Sequence, residues 1–150
     1  MTSEVAYKIN SVSLEEQTEF ILKYANESTP PLNERVDILA FSRKLKDFAT
    51  SFEAWKNDGA LAGILLAYVN NDETKEAFIS YFRIIPEMRG CGIGKQLLND
   101  CFDFCRQRKY KTIALEVAKN NSRAIALYEK IGFQPFREDD ISWFMKKDLI

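Results

Sequence analysis

Val5, Tyr7, Ile9 and Ser11 fall on alternate positions, which predicts a first strand over residues 5–12. Ser13 followed by Glu16 forms a capping box, and Leu14, Phe20, Ile21 and Tyr24 then recur near helical spacing, predicting a helix to about Glu27. Pro30-Pro31 cannot continue that helix. Asn33 is the expected cap of a second helix, with Val36, Leu39, Ala40, Leu45 and Phe48 facing the core. Around Asn57-Asp58-Gly59 the apolar period turns from helical to alternating, so residues 51–56 and 60–69 read as a hairpin. After a turn at Asn70-Asn71-Asp72, Ala77 to Ile85 is a mostly apolar strand stopped by Pro86.

Residues 94–108 read as a helix with Leu97, Leu98, Cys101, Phe102 and Cys105 on one side. Arg106, Arg108, Lys109 and Lys111 crowd its end, where cations complement the negative end of the helix dipole. Residues 112–118 form a strand, 122–131 a short helix stopped by Gly132, and 141–149 a last strand. The order from Ala77 onward is α/β in character, whereas the flanking hairpins pair antiparallel. An α/β (α+β) arrangement follows: a mixed, mostly antiparallel sheet with helices on both faces. With 150 residues, 46% of them hydrophobic, the chain is expected to form a single domain over 1–150.

The formal net charge of −1, with both signs interspersed, argues against nucleic acid as a partner. Residues 1–7 lack a basic start leading into an apolar run, and no stretch approaches the roughly 18 apolar residues of a membrane span. A cytoplasmic location with no membrane partner is therefore expected. The three cysteines, Cys91, Cys101 and Cys105, suit reduced thiols, with the latter two buried at i, i+4 on one helix. The chain has no histidine, so Ser-His-Asp, Cys-His and the usual His-based zinc chemistry are all closed to it, and no metal is expected.

Arg89-Gly90-Cys91-Gly92-Ile93-Gly94-Lys95 lies between an apolar strand and a helix. Three glycines let the backbone turn sharply and approach a ligand, so that N–H groups at the positive helix end can converge on a phosphate or pyrophosphate. A Walker loop would need Ser or Thr after its lysine, where this chain has Gln96. A dinucleotide fingerprint would need two residues between its last glycines, and only Ile93 separates Gly92 from Gly94.

The second constellation runs Asn121-Ser-Arg-Ala124-Ile-Ala-Leu127-Tyr128-Glu-Lys-Ile-Gly132-Phe133, after the strand Leu115-Glu116-Val117. Together the two stretches resemble the GCN5-related N-acetyltransferase (GNAT) superfamily. Arg89, Gly92 and Gly94 match its R/Q-x-x-G-x-G/A signature, and the helix matches N-x-x-A-x-x-L-Y-x-x-x-G-F. The resemblance is strongest over residues 77–134. It implies a sheet of about seven strands and acetyl-CoA as co-substrate, with the amides of Arg89, Gly90, Cys91, Gly92, Ile93, Gly94 and Lys95 on the pyrophosphate. Backbone of Phe82, Arg83 and Ile84 would pair with the pantetheine arm, Asn121 would hydrogen-bond it, and Tyr128 would meet the thioester sulfur.

Attack of a neutral amine on a thioester develops an oxyanion and a departing thiolate, so cleft N–H groups and an acid are required. Tyr128, with a reference pKa of about 10, is the expected acid for a thiolate whose thiol lies near 8.5. The amine must also lose a proton, and Glu116, the acidic residue of an otherwise apolar strand, is the candidate base, with a water chain as the alternative. The acceptor, a small amine, amino sugar or peptide amine, would be read by the first two helices and the following hairpin, with Tyr24, Arg35, Asp37 and Tyr81 as candidates. Monomer and homodimer both stay open. Competing readings are a non-catalytic acyl-CoA-binding regulatory module and, third, a nucleotide-binding protein.

Overall fold

The computed structural model describes residues 4–27 and 31–150; Pro30, half of the expected Pro-Pro break, lies outside them. Among the described residues seven strands form one sheet: β1 Val5–Ile9, β2 Thr50–Lys56, β3 Leu61–Tyr68, β4 Glu76–Ile84, β5 Thr112–Ala118, β6 Gln134–Glu138 and β7 Ser142–Asp148. Their spatial order is β1-β2-β3-β4-β5-β7-β6. Every neighbouring pair is antiparallel except β4 and β5, which run parallel. The helices are α1 Leu14–Lys23, α2 Leu32–Arg35, α3 Ile38–Phe48, α4 Ile93–Gln107 and α5 Ser122–Ile131, with short 3-10 turns at Ala25–Glu27 and Pro86–Met88.

In the central strands β2 and β3 runs of consecutive residues, Ser51 to Ala54 and Ala62 to Ala67, are buried, which requires cover on both faces of the sheet. Phe52 of β2 meets Phe104 of α4 edge-on at 5.4 Å. Its neighbours Ser51 and Glu53 point the other way by the period of two, toward the start of α1. Glu53 is fully buried and anchors that start. Its carboxylate accepts from the backbone N–H of Ser11 (3.0 Å) and of Val12 (3.1 Å), from Ser51 Oγ (2.6 Å) and from Trp55 Nε1 (3.0 Å). Lys46 Nζ of α3 donates to the Val12 carbonyl at 2.7 Å. Gln17 then joins α1 to α3 through Nε2, which donates to Ser42 O at 2.9 Å and Ser42 Oγ at 3.0 Å. A buried polar set of this kind fixes where the helix pair sits, because each donor would be stranded by a shift.

Several expected boundaries move. The first strand ends at Ile9, and the first helix yields to the 3-10 turn after Lys23. The Ser13–Glu16 capping box is present in both directions. Asn33 does not cap the second long helix: it lies inside the single turn α2, Val36 is extended, and Asp37 caps α3 by accepting from Leu39 N and Ala40 N. The buried stripe of α3 also differs from the expected one, with Leu45 common to both. Ile38, Ser42 and Leu45 face inward, while Leu39 (64% exposed) and Phe48 (59%) face out and Ala40 is exposed. β6 was not expected from the pattern, and all five of its residues are exposed. It carries a bulge at Phe136, since Pro135 pairs with Met145 and Arg137 with Phe144.

The face of α4 follows the expected pattern, with Leu97, Leu98, Cys101, Phe102 and Cys105 all buried. In its last turn Arg106 Nε donates to the Leu149 carbonyl at 2.9 Å, and the guanidinium of the C-cap residue Arg108 lies 3.4 Å from the Phe104 ring centre.

Glu53→Ala should leave four donors without their acceptor at once, the buried Val12 N–H and Ser51 hydroxyl among them, lowering stability by about 3 kcal/mol or more in urea titrations. A loss below about 1 kcal/mol would remove Glu53 as the anchor of the α1 entrance.

Candidate active site

The site originates in an incomplete seam. β4 and β5 pair only from Glu76↔Thr112 to Ile79↔Leu115, although both strands run on, to Ile84 and Ala118. The departure coincides with a bulge: Leu66 of β3 pairs with Tyr81 and Ala67 with Ile79, so Ser80 is an extra residue on β4 and bends it. Beyond it, β4 remains paired with β3 on one side while its other edge faces a cleft of about 720 Å³, a size suited to a small-molecule ligand. Extended backbone bordering such a gap has N–H and C=O groups that an extended ligand can pair with.

At the mouth of the cleft, Gly90 (φ 82°) and Gly92 (φ 83°) are both left-handed, with open space where a Cβ would stand. Glycine is required there by backbone conformation rather than by room. At Gly94 the space is tight, since a Cβ would lie 3.3 Å from Phe82 Cζ. Gly92 is the N-cap of α4 and offers no side-chain cap, so the first N–H groups of a 15-residue helix are aimed at the loop without one. That fits an anionic group such as a pyrophosphate. Gly90, Gly92, Ile93, Gly94 and Lys95 line the cleft; Cys91 is exposed and does not.

α5 closes the far wall. Asn121 caps it, its side-chain oxygen accepting from Ala124 N at 3.2 Å, which leaves the amide's N–H groups as the donating end. Gly132 (φ 113°) ends the helix with its N–H on the Tyr128 and Glu129 carbonyls, and Phe133 N donates to Tyr128 O at 2.9 Å. This cap turns Phe133 back onto the ring of Tyr128 at 5.7 Å, and Phe82 of β4 lies 6.5 Å from the same ring. The phenol is thus held between aromatic neighbours and buried. Burial pushes its pKa well above the ordinary tyrosine range, against the pull of the nearby Arg83 guanidinium, so it stays protonated. Tyr81, also buried, is pushed up to about 12 by the same cause, again opposed by Arg83.

Glu116 sits on β5 just beyond the last residue paired with β4 and lines the cleft. It is not enclosed as its apolar run suggests: it is exposed, and Oε2 faces Arg35 Nη2 at 3.7 Å. Phe82, Arg83, Ile84 and Arg89 line the cleft as well, so apart from Cys91 the sequence-derived site residues come together. Of the acceptor candidates, Arg35 and Tyr81 line it; Tyr24 and Asp37 do not.

Sequence reasoning missed Glu27. Its Oε1 accepts from Arg83 Nη1 at 2.9 Å and from Arg89 Nη2 at 2.6 Å, tying the turn after α1 to β4 and to the glycine loop. The partners are 56 and 62 residues away, so no local pattern announces them. Arg89 Nε also donates to the Ile84 carbonyl at 3.3 Å, so its side chain braces the loop from behind.

The family model for the acetyltransferase (GNAT) family matches residues 14–133. The chain is similar to a putative [ribosomal protein bS18]-alanine N-acetyltransferase of Bacillus subtilis (strain 168), 32% identical over 80 residues, which are 53% of this chain and 51% of that protein. The chain thus spans about half the length of that relative. Among solved structures, the ribosomal-protein-S18-alanine N-acetyltransferase from Escherichia coli superposes with a TM-score of 0.76 at 23% identity, covering 96% of this chain and 94% of that one. The PaiA N-acetyltransferase from Thermoplasma acidophilum, in complex with coenzyme A, gives 0.72 at 20% identity over 95% and 99%. At these identities the two structures speak for the fold, with its seven-stranded open sheet. The family match, which extends from the start of α1 through the glycine loop to Phe133, decides the rest: the chain belongs to the acetyltransferase (GNAT) family.

Proposed function

We propose that this protein is an N-acetyltransferase that moves the acetyl group of acetyl-CoA directly onto an amine, with Tyr128 as the acid. The observation that carries this reading is a phenol kept protonated in the wall of a cleft whose mouth is a glycine loop at a helix N-terminus. The coenzyme A complex of the Thermoplasma neighbour and the acetyltransferase names of the relatives support the choice of co-substrate and reaction.

In this reading the amides of Arg89 to Lys95 and the positive end of α4 hold the pyrophosphate, and the open edge of β4 from Phe82 to Ile84 pairs with the pantetheine arm, aided by the Asn121 amide. The co-substrate supplies an activated acyl carbonyl. Glu116, directly or through water, takes a proton from the incoming ammonium, and the resulting amine forms the new C–N bond as the C–S bond breaks. Tyr128 donates to the leaving sulfur and regains its proton from the second one shed by the acylated nitrogen, while Glu116 releases the first to solvent. In balance, R-NH3+ and acetyl-CoA give the acetamide, free CoA thiol and one proton.

A phenol above about 10 donating to a thiolate whose thiol lies near 8.5 moves a proton uphill by at least about 1.5 units. Arg83 acts against that gap, because its charge lowers the Tyr128 pKa. Proton transfer therefore follows the build-up of charge on sulfur rather than preceding it.

Tyr128→Phe is expected to lower kcat for thiol release about 10²- to 10⁴-fold, the usual range for a positioned acid. Unchanged turnover across pH would remove Tyr128 from the chemistry. Because burial holds the phenol above its reference value, wild-type activity should show no falling limb from Tyr128 below about pH 10. Glu116→Gln should move the rising limb upward, toward the amine's own value of about 10.4 for a lysine-type acceptor. A superimposable pH profile would exclude Glu116 as base.

A further inference from the structure

Five of the charged side chains lining the cleft fall into two ion-paired sets. Glu27, Arg83 and Arg89 form one, closed by contacts of 2.9 and 2.6 Å. Arg35 and Glu116 form the other, and theirs is a looser pair: 3.7 Å between Nη2 and Oε2, beyond the ~2.7–2.9 Å of a charge-assisted hydrogen bond, with side chains 40% and 31% exposed. A partly exposed pair at that distance adds little to stability. It does set one positive and one negative group side by side, both lining the cleft.

Standard backbone dimensions put the ammonium nitrogen and a carboxylate oxygen of a free α-amino acid about 3 Å apart. That is close to the 3.7 Å separating Arg35 Nη2 from Glu116 Oε2. Laid beside the pair in the opposite sense, such a zwitterion completes a square of alternating charge: ammonium on Glu116, carboxylate on Arg35. Neither protein group needs to lose its present neighbour. A polyamine would bring a second cation toward Arg35 and Arg83, and a peptide N-terminus would offer Arg35 a neutral carbonyl where the carboxylate should be.

Resting on the acetyltransferase reading above, we propose that the acceptor is a free α-amino acid, its carboxylate held by Arg35 and its α-amino group presented by Glu116 to the acetyl donor. Arg35 is then the residue that selects the substrate class, and the single turn α2 carries it on its last position to within reach of Glu116 on β5.

The test measures thiol release from acetyl-CoA with the full chain, using free L-amino acids, their primary amides, short peptides with free N-termini, and spermidine. At least one amino acid should exceed its own amide in kcat/KM by about tenfold or more, carried mainly by KM. In Arg35→Gln, checked for folding by its thermal midpoint, that ratio should fall toward one, and Arg35→Lys should recover part of it. Amides, peptide N-termini or spermidine matching the acids would overturn the proposal and leave acetyl transfer standing, as would a ratio that survives Arg35→Gln. Absence of transfer to every amine, with no calorimetric heat on adding CoA, would overturn both.

Discussion

The parting of β4 from β5 after four residue pairs is the constraint on which the site rests. In a continuous sheet the backbone groups of Tyr81 to Ile84 and of Glu116 to Ala118 would bond each other, and there would be no gap. The extra residue at Ser80 spoils the register and bends β4 away, so the strands part inside the molecule rather than at its rim. The single parallel pairing sits at the same seam, because a β-loop-helix-β crossover through α4 connects β4 to β5.

Packing around the gap is aromatic beside Tyr128 and ionic along the Glu27 and Arg35 wall. Phe82, Tyr128, Phe133 and Phe102 form a chain of ring contacts from β4 through α5 to α4, at 6.5, 5.7 and 6.0 Å. It couples the position of the phenol to the helix that begins at the glycine loop. On the opposite wall, Glu27 and Arg35 are carried on the connection between α1 and α3, and those helices are located by Glu53, Gln17 and Lys46. Buried polar contacts far from the cleft thereby determine which charges line it.

How much of this was legible in the sequence differed by region, for physical reasons. β5 and α5 lie where the sequence placed them, because their signals are local: period-two burial in one, an Asn cap and a left-handed Gly stop in the other. The glycine loop was legible for the same reason, with positive φ at Gly90 and Gly92 and a crowded Gly94. The stretch before α3 was misread because Asn33 and Asp37 are both competent caps four residues apart. Only the extended backbone at Val36 and the burial of Ile38, both tertiary facts, choose Asp37. β6 escaped because a fully exposed strand has no apolar period to detect. Glu27 and the Arg35–Glu116 pair depend on contacts between distant segments, which no window along the chain can contain.

That exposed outermost strand has a further consequence. An open sheet ends in unpartnered amides and carbonyls, and these can template the addition of foreign β-structure. Here the terminal strand reads Gln-Pro-Phe-Arg-Glu: Pro135 withholds one donor, the irregularity at Phe136 breaks the straight run, and Arg137 turns its guanidinium onto the Phe144 ring 4.1 Å away. The rim that stacking chains would need for fibrillar growth is thus interrupted, and the molecule is guarded against self-templated aggregation along that border.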